Sequence, residues 1–298
     1  MPLVDPALSY FLAVYGTSSV NEAARRLFVA ASAVSRQLAR LEREVGAPLF
    51  ERQATGVVPT AAGHAFAGYA RRAVAEASAV VEEVQQRRST GPVVRLAASD
   101  GPGHDLVPRV VAATRQRSPA VRFALTLTAP GAVTQRVRDG ACDLGVTFTL
   151  AADPDVRVLH AQPAPLVAVV RADSPLAGRA SVALTELAGH PLVLPPTSTT
   201  NRALVDLAGA SAGCVLEPAF VCDTSTAALR FVRDAGGVAV LGRVSLSSAA
   251  DGLVAVPLDG AELSRRSLQV QAQAGRQLPP VVQRFADDLA QALAATDC

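Results

Sequence analysis

Two groups of residues have the types and spacing to do chemistry. Ser32, Ser35, Arg36, Gln37 and Arg40 recur at helical spacing, opposite an apolar set of Val34, Leu38 and Leu41. Hydroxyl, amide and guanidinium groups in such a row can read base edges or hold phosphates. The same spacing describes the solvated face of an ordinary amphipathic helix, and the row by itself leaves both readings open. The second group is four segments rich in Ser, Thr, Asp, Gly and Pro. They are Ser99-Asp100-Gly101-Pro102-Gly103, Thr128-Ala129-Pro130-Gly131, Pro196-Thr197-Ser198-Thr199-Thr200-Asn201-Arg202 and Cys222-Asp223-Thr224-Ser225. Each follows an extended run or opens a helical one, where free backbone N–H groups collect ligands and favour anions. Ordinary turns and helix caps need the same residue types. Asp100 would disfavour a purely anionic ligand unless it points away.

No catalytic or metal-binding constellation emerges from the pattern. The four His, at 64, 104, 160 and 190, are too dispersed for a triad or a metal site. The four Cys, at 142, 214, 222 and 298, form no Cys-x-x-Cys pair, so neither a disulfide framework nor zinc is expected. Gly101-Pro102-Gly103 and Asp234-Ala235-Gly236-Gly237 lack the Gly-x-Gly-x-x-Gly spacing of a dinucleotide loop. An α/β enzyme, or a solute-binding protein with an appended helical segment, is the rival reading, and the enzyme would need one of these constellations. The expectation is a protein that is not an enzyme and has no cofactor.

The elements that must hold these residues change character along the chain. Leu8, Phe11, Leu12 and Tyr15 predict a helix after Pro6 that ends at Gly16. Ser19-Val20-Asn21-Glu22 fits a capping box opening a second helix with Ala23, Ala24 and Leu27 inward. After a break at Phe28-Val29-Ala30, a third helix buries Val34, Leu38, Leu41 and Val45 and stops at Gly46 and Pro48. Leu49 to Pro59 reads as extended with a turn near Ala54-Thr55-Gly56. Thr60 can cap an Ala-rich helix over 61–88 of about 40 Å, too long to be buried in so small a domain. Its simplest partner is its own copy.

Beyond Arg87-Arg88-Ser89-Thr90-Gly91-Pro92, strands alternate with helices. Strands are predicted at Val93–Ala97, Val121–Thr128 and Leu144–Phe148, with helices at Asp105–Gln116 and Val133–Asp139 between them. A second set runs through Leu166–Val170, Leu192-Val193-Leu194, Asn201–Leu207, Ala228–Asp234 and Val238–Leu241. Two such alternations predict two α/β lobes with largely parallel sheets. A last strand at Leu268-Gln269-Val270 and a helix with Val281, Phe285, Leu289 and Leu293 are expected to return to the first lobe.

Composition bounds the function classes. Of 298 residues, 50% are hydrophobic and 18% charged, which excludes disorder and a fibre. All 28 cationic side chains of the Lys and Arg class are Arg, so any phosphate contact from a basic side chain is a guanidinium contact. The net charge of +2 resides in residues 1–90, which hold 10 Arg and 8 acids, whereas 91–298 hold 18 of each. No run approaches 18 apolar residues, and the amino terminus lacks a signal-peptide pattern, so a cytoplasmic protein without a membrane partner is expected.

Specific stretches carry a resemblance. Leu8-Ser9-Tyr10-Phe11, Ser19 through Leu27, Ser32-Ala33-Val34-Ser35-Arg36-Gln37-Leu38, Leu41-Glu42, Gly46, Leu49-Phe50-Glu51-Arg52 and Thr60-Ala61-Ala62-Gly63 resemble, without a gap, the amino-terminal domain of LysR-type transcriptional regulators. Gly91–Ala97, Asp139 through Val146, Asp173-Ser174-Pro175-Leu176, Leu184-Thr185-Glu186-Leu187 and Gly236 through Leu241 resemble that family's effector domain.

The resemblance implies a winged helix-turn-helix over 3–60 (helix-turn-helix 20–39), a linker and dimerisation helix over 61–90, and an effector domain over 91–298. That domain is similar to type 2 periplasmic binding proteins, with lobe I about 91–161 and 268–298 and lobe II about 162–267. Implied partners are double-stranded DNA with dyad half-sites, a small-molecule effector, and further copies forming a homodimer and a homotetramer. DNA contacts then fall to Ser32, Ser35, Arg36, Gln37, Arg40, Arg52 and Thr55. Effector contacts fall to Ser99, Asp100, Thr128, Pro130, Thr197, Ser198, Thr199, Asn201 and Asp223.

Departures sharpen this. Ala30-Ala31-Ser32 stands where the family often has Ser-Gln-Pro, which shifts base reading toward Ser32, Ser35 and Arg36. Thr55 replaces a frequent basic residue of the wing, and Arg52 is either its substitute or a structural buttress. The peroxide-sensing branch's Gly-His-Cys-Leu-Arg segment is replaced by Thr199-Thr200-Asn201-Arg202, which argues against a switch through Cys214 and Cys222.

Overall fold

A computed structural model describes residues 5–53, 56–86, 91–246 and 252–296. Thr55, residues 3–4 and 87–90, and Cys298 lie outside the described residues. The chain divides into two compact units, and the boundary falls at Gly91 and Pro92.

The first unit is built on helix α1 (Pro6–Thr17), α2 (Val20–Arg26), α3 (Ala31–Val45), a β1 (Phe50–Gln53) and β2 (Gly56–Pro59) hairpin, and the long α4 (Ala61–Gln86). Its core is Ala7, Leu8, Phe11 and Val14 of α1, Ala23 and Ala24 of α2, Val34, Leu38 and Leu41 of α3, Leu49, and Ala67 and Ala70 of α4. Phe28 makes the turn into α3 at φ 55. The capping box at Ser19 forms only by half. Ser19 Oγ accepts from Glu22 N at 3.3 Å, but the Ser19 N–H goes to Thr17 Oγ1. Glu22 instead binds Arg25 and Arg26, which hold its carboxyl below its ordinary range. Val45 is 41% exposed and not part of the buried stripe, because Gly46 ends the helix at φ 77 before anything covers it.

The second unit holds two five-stranded sheets. The first has the order β4 (Arg122–Leu127), β3 (Val93–Ala98), β5 (Leu144–Thr149), β12 (Ser267–Gln273), β6 (Val156–Pro163). On one face lie α6 (Leu106–Arg117) and α11 (Pro280–Ala294), whose Val107, Val110, Phe285 and Leu289 pack on Leu96, Val146 and Leu268. On the other lies α7 (Pro130–Arg138), with Val133 and Val137 against Ala97.

The second sheet has the order β11 (Leu253–Pro257), β7 (Leu166–Arg171), β10 (Val238–Gly242), β8 (Leu192–Leu194), β9 (Phe220–Val221). The short α8 (Leu184–Leu187) and α9 (Thr200–Ser211) cover one face, and α10 (Ser225–Ala235) the other.

Neither sheet is largely parallel. Each joins two parallel pairings, β3 to β4 and β5 or β8 to β10 and β9, with two antiparallel ones made by β12 or β7. A parallel neighbour needs a long crossover, usually an α-helix, and among the described residues none directly precedes β6, β7, β11 or β12. Strands β6 and β11 escaped the alternation pattern for the same reason. The helix expected over 105–116 is present as α6, and a short α5 (Asp100–His104) that was not expected precedes it. The chain passes between the sheets twice, and the two crossings lie side by side, with Ala164 N donating to Arg266 O at 2.9 Å.

Candidate functional sites

Helix α3 presents the first group of residues. Ser32, Ser35 and Arg36 are exposed on the face opposite Val34, Leu38 and Leu41, together with Arg43. Arg40 turns aside to Asp5 and Glu44, so it ties α3 to the cap of α1. That contact and the Ala7 N–H lower the Asp5 carboxyl, the N–H being the larger cause. Gln37 is half-buried. Glu42 was not singled out from the sequence, yet its Oε1 accepts from Leu49 N at 2.8 Å and Phe50 N at 3.2 Å. It therefore fixes the base of the hairpin against α3. Arg52 is exposed on β1.

Between the two sheets of the second unit lies a cleft of about 480 Å³. Of the nominated residues, Ser99, Asp100, Thr128, Pro130, Ser198, Thr199, Asn201 and Asp223 line it. Thr197 is exposed in the turn and does not. Ser99 and Thr128 are held at the ends of β3 and β4 by backbone bonds, Ser99 N to Val146 O and Thr128 N to Ala98 O, each 3.0 Å. The Thr199 hydroxyl serves capping, donating to Pro196 O at 2.8 Å and accepting from Arg202 N at 3.3 Å. Asp100 bridges the sheets: Oδ2 accepts from Ser225 N at 2.7 Å, and Oδ1 lies 3.0 Å from His104 Nε2.

Arg266 is the principal residue that sequence reasoning missed. It is only 1% exposed, with its guanidinium 3.8 Å from the centre of the Phe148 ring. Nε donates to Ala164 O at 2.9 Å and Nη1 to Asn201 Oδ1. Gly242 makes room for it, since a Cβ there would lie 2.3 Å from Arg266 Nη2. No local pattern signals this, because the partners are 65 and 102 positions away.

The cysteines read differently from one another. Burial first, then the Asp143 charge, pushes the Cys142 thiol up to about 12. Cys222 lines the cleft and is also raised, chiefly by burial, with Asp223 and Asp100 adding to the effect. Cys142, Cys214 and Cys222 carry free thiols. The thiolate is the reactive form, so iodoacetamide at pH 8 should leave Cys142 unmodified in the folded protein and label it once denatured. Equal labelling by mass spectrometry in both states would contradict this.

The described residues contain no group of three or more His, Cys, Asp or Glu able to hold a metal, and no helix long and apolar enough to cross a membrane. Comparison with known proteins gives the arrangement its context. Residues 6–64 match the model of the bacterial regulatory helix-turn-helix protein, lysR family, and residues 87–294 match the LysR substrate binding domain. The HTH-type transcriptional regulator YybE of Bacillus subtilis is 28% identical over 78% of this chain and 80% of its own length. The RuBisCO operon transcriptional regulator of Allochromatium vinosum is 26% identical over 98% of this chain and 97% of its own.

Among solved structures, full-length CbnR complexed with its target DNA superposes with a TM-score of 0.52 at 21% identity, covering 96% of this chain and 98% of that one. The CcmR regulatory domain of Synechocystis, in complex with 2-PG, gives 0.56 at 23% identity, covering 67% of this chain and 96% of that one. These two show likeness of fold. With both family models matched in order along one chain, the protein belongs to the LysR family: a DNA-binding transcriptional regulator with a helix-turn-helix unit followed by an effector-binding domain.

Proposed function

We propose that the chain is a cytoplasmic regulator with no catalytic step, whose DNA affinity or geometry is set by a small molecule held in the cleft. Residues 3–60 form the DNA-binding unit, 61–90 the dimerisation helix and 91–298 the effector domain. Ser32, Ser35, Arg36 and Gln37 face the major groove, Arg52 contacts DNA from β1, and Arg40 ties α3 to the cap of α1. The effector contacts Ser99, Asp100, Thr128, Pro130, Ser198, Asn201 and Asp223, with Thr199 shaping the turn. The single observation that carries this reading is the 480 Å³ cleft lined from both lobes by residues at strand ends and helix starts.

The length of α4 supports pairing of two copies. Tyr69 and Val80 on it are 53% and 50% exposed, and a second α4 would cover such apolar side chains. Paired helices present two winged units to dyad-related half-sites, and contacts between effector domains extend the dimer to a tetramer. Ligand uptake then shifts the population between pre-existing lobe arrangements.

The test is Arg36→Ala. Specific binding to the DNA upstream of its own gene should weaken by about 1–3 kcal/mol if Arg36 reads a base, with discrimination lost at one position per half-site. Unchanged competitor-resistant binding in a mobility-shift assay would remove Arg36 from the interface.

A further inference from the structure

The cleft contains a carboxylate where an acidic ligand would be expected to sit. Free N–H groups at the start of α10, an eleven-residue helix, form a natural anion seat. Asp100 from the opposite lobe already occupies it through the 2.7 Å bond from Ser225 N. Ala227 N is taken by Thr224 Oγ1 at 3.4 Å, and Thr226, between the two, is exposed and does not line the cleft. The chain thus fills its own seat with an internal acid.

Two acids, Asp100 and Asp223, face one guanidinium, Arg266, in the cleft, with His104 Nε2 3.0 Å from Asp100 Oδ1. Asp223 stands five residues before Ala228 on the same wall and is exposed to the cleft. Arg266 also lines the cleft, with Nε and Nη1 directed to the neutral Ala164 O and Asn201 Oδ1 and its face on Phe148, so it offsets one of the two acids and not both. The Cys222 thiol is raised first by burial, and the charges of Asp223 and Asp100 add to that effect. Independently, Ser99 is 2% exposed, lines the cleft, and its Oγ has no hydrogen-bond partner among the described residues. A buried hydroxyl left in that state keeps its desolvation cost uncompensated and marks a position for a ligand group.

Resting on the effector-cleft reading, we infer that the ligand carries an amino group or comparable cationic donor that pairs with Asp100 and Asp223, and that Asp100 excludes simple carboxylates by occupying the α10 seat. A carboxylate entering the wild-type cleft must either displace Asp100 from Ser225 or lie beside it with like charge. A cation gains from both acids and leaves the Asp100 to Ser225 bond in place, so that the two lobes stay joined around it.

The experiment uses the full chain and three probes of one carbon skeleton: butylamine, butyrate and 4-aminobutyrate, titrated at low ionic strength by calorimetry. The wild type should take the two amine-bearing probes at least tenfold more tightly than butyrate. Asp100→Ala empties the seat and should reverse the order, with butyrate gaining at least tenfold. Asp100→Asn keeps an acceptor for Ser225 N without the charge, and should lose the amine preference without gaining butyrate.

The inference is overturned if the wild type prefers butyrate, if no probe binds, or if Asp100→Ala leaves the order unchanged. A Ser198→Trp variant, with the indole filling the cleft, separates the two levels. Butyrate binding to the wild type that Ser198→Trp abolishes would sink the inference and keep the cleft as the ligand site. Probe binding that persists in Ser198→Trp would sink the cleft reading as well.

Discussion

Gly63→Ala is expected to destabilise the DNA-binding unit by about 1–3 kcal/mol and to reduce operator binding accordingly. Gly63 lies in the first turn of α4, where a Cβ would stand 2.1 Å from Leu49 O and 3.1 Å from Leu49 C. The obstacle is backbone, and it is held in place: Leu49 O accepts from Thr60 N at 3.0 Å, while Leu49 N is bound by Glu42. Relief requires moving α4 away from the hairpin. Alanine's better helix propensity returns at most about 1 kcal/mol, so the clash decides the sign.

Gly68 in the same helix is the control. Its added Cβ would meet only the tip of Arg72, at 3.4 Å. Gly68→Ala should therefore be neutral or stabilising by up to about 1 kcal/mol. Thermal unfolding of both variants checks the pair, and an equal response would mean that the close approach at Leu49 is not what selects glycine.

Arg266→Met should cost about 2–4 kcal/mol, from two lost charged hydrogen bonds, of which the buried Ala164 O keeps its full desolvation cost and the half-buried Asn201 Oδ1 part of it. The methionine would fill much of the volume over Phe148, so the loss falls on Ala164 O and Asn201 Oδ1. Ala164 belongs to one lobe crossing, Arg266 to the other, and Asn201 to the first turn of α9. Hydrogen exchange should consequently rise at the crossings and at the start of α9 before it rises in either sheet. Arg266→Lys should not rescue, because one ammonium cannot reproduce a planar fork lying on a ring and bonded along two edges. A midpoint within the error of wild type for Arg266→Met would show that the crossings are held by the backbone pairing of Ala164 and Arg266 alone.

Much of this architecture is legible in the chain because it rests on local signals. Helical spacing through Val34, Leu38 and Leu41, the stop at Gly46, and the cap at Thr60 each depend on neighbours a few positions away. Ser99, Thr128, Ser198 and Asn201 reach the cleft because strand ends and helix starts converge there in any such sheet. What stayed hidden depends on distance in sequence. Glu42 reaches the hairpin across seven and eight positions, Asp100 reaches Ser225 across 125, and Arg266 reaches Ala164 across 102. Arg40 shows the converse: its type and position suit DNA, yet Asp5, 35 positions earlier, takes it. Thr197 was nominated within a hydroxyl-rich run whose turn directs it outward. Strands β6 and β11 escaped, and β7 and β12 are legible without their antiparallel pairing, because no crossover helix announces them.

The central claim is that this chain binds DNA through its amino-terminal unit under the control of its cleft. The most direct measurement is equilibrium binding of the full chain to the DNA upstream of its own gene as salt is raised, with and without small-molecule cell extract. Saturable binding at low salt is expected, with log affinity falling linearly against log salt as phosphate counterions are released, and with the extract shifting affinity or footprint. No saturable binding at low salt, in the presence or absence of extract, would contradict the account.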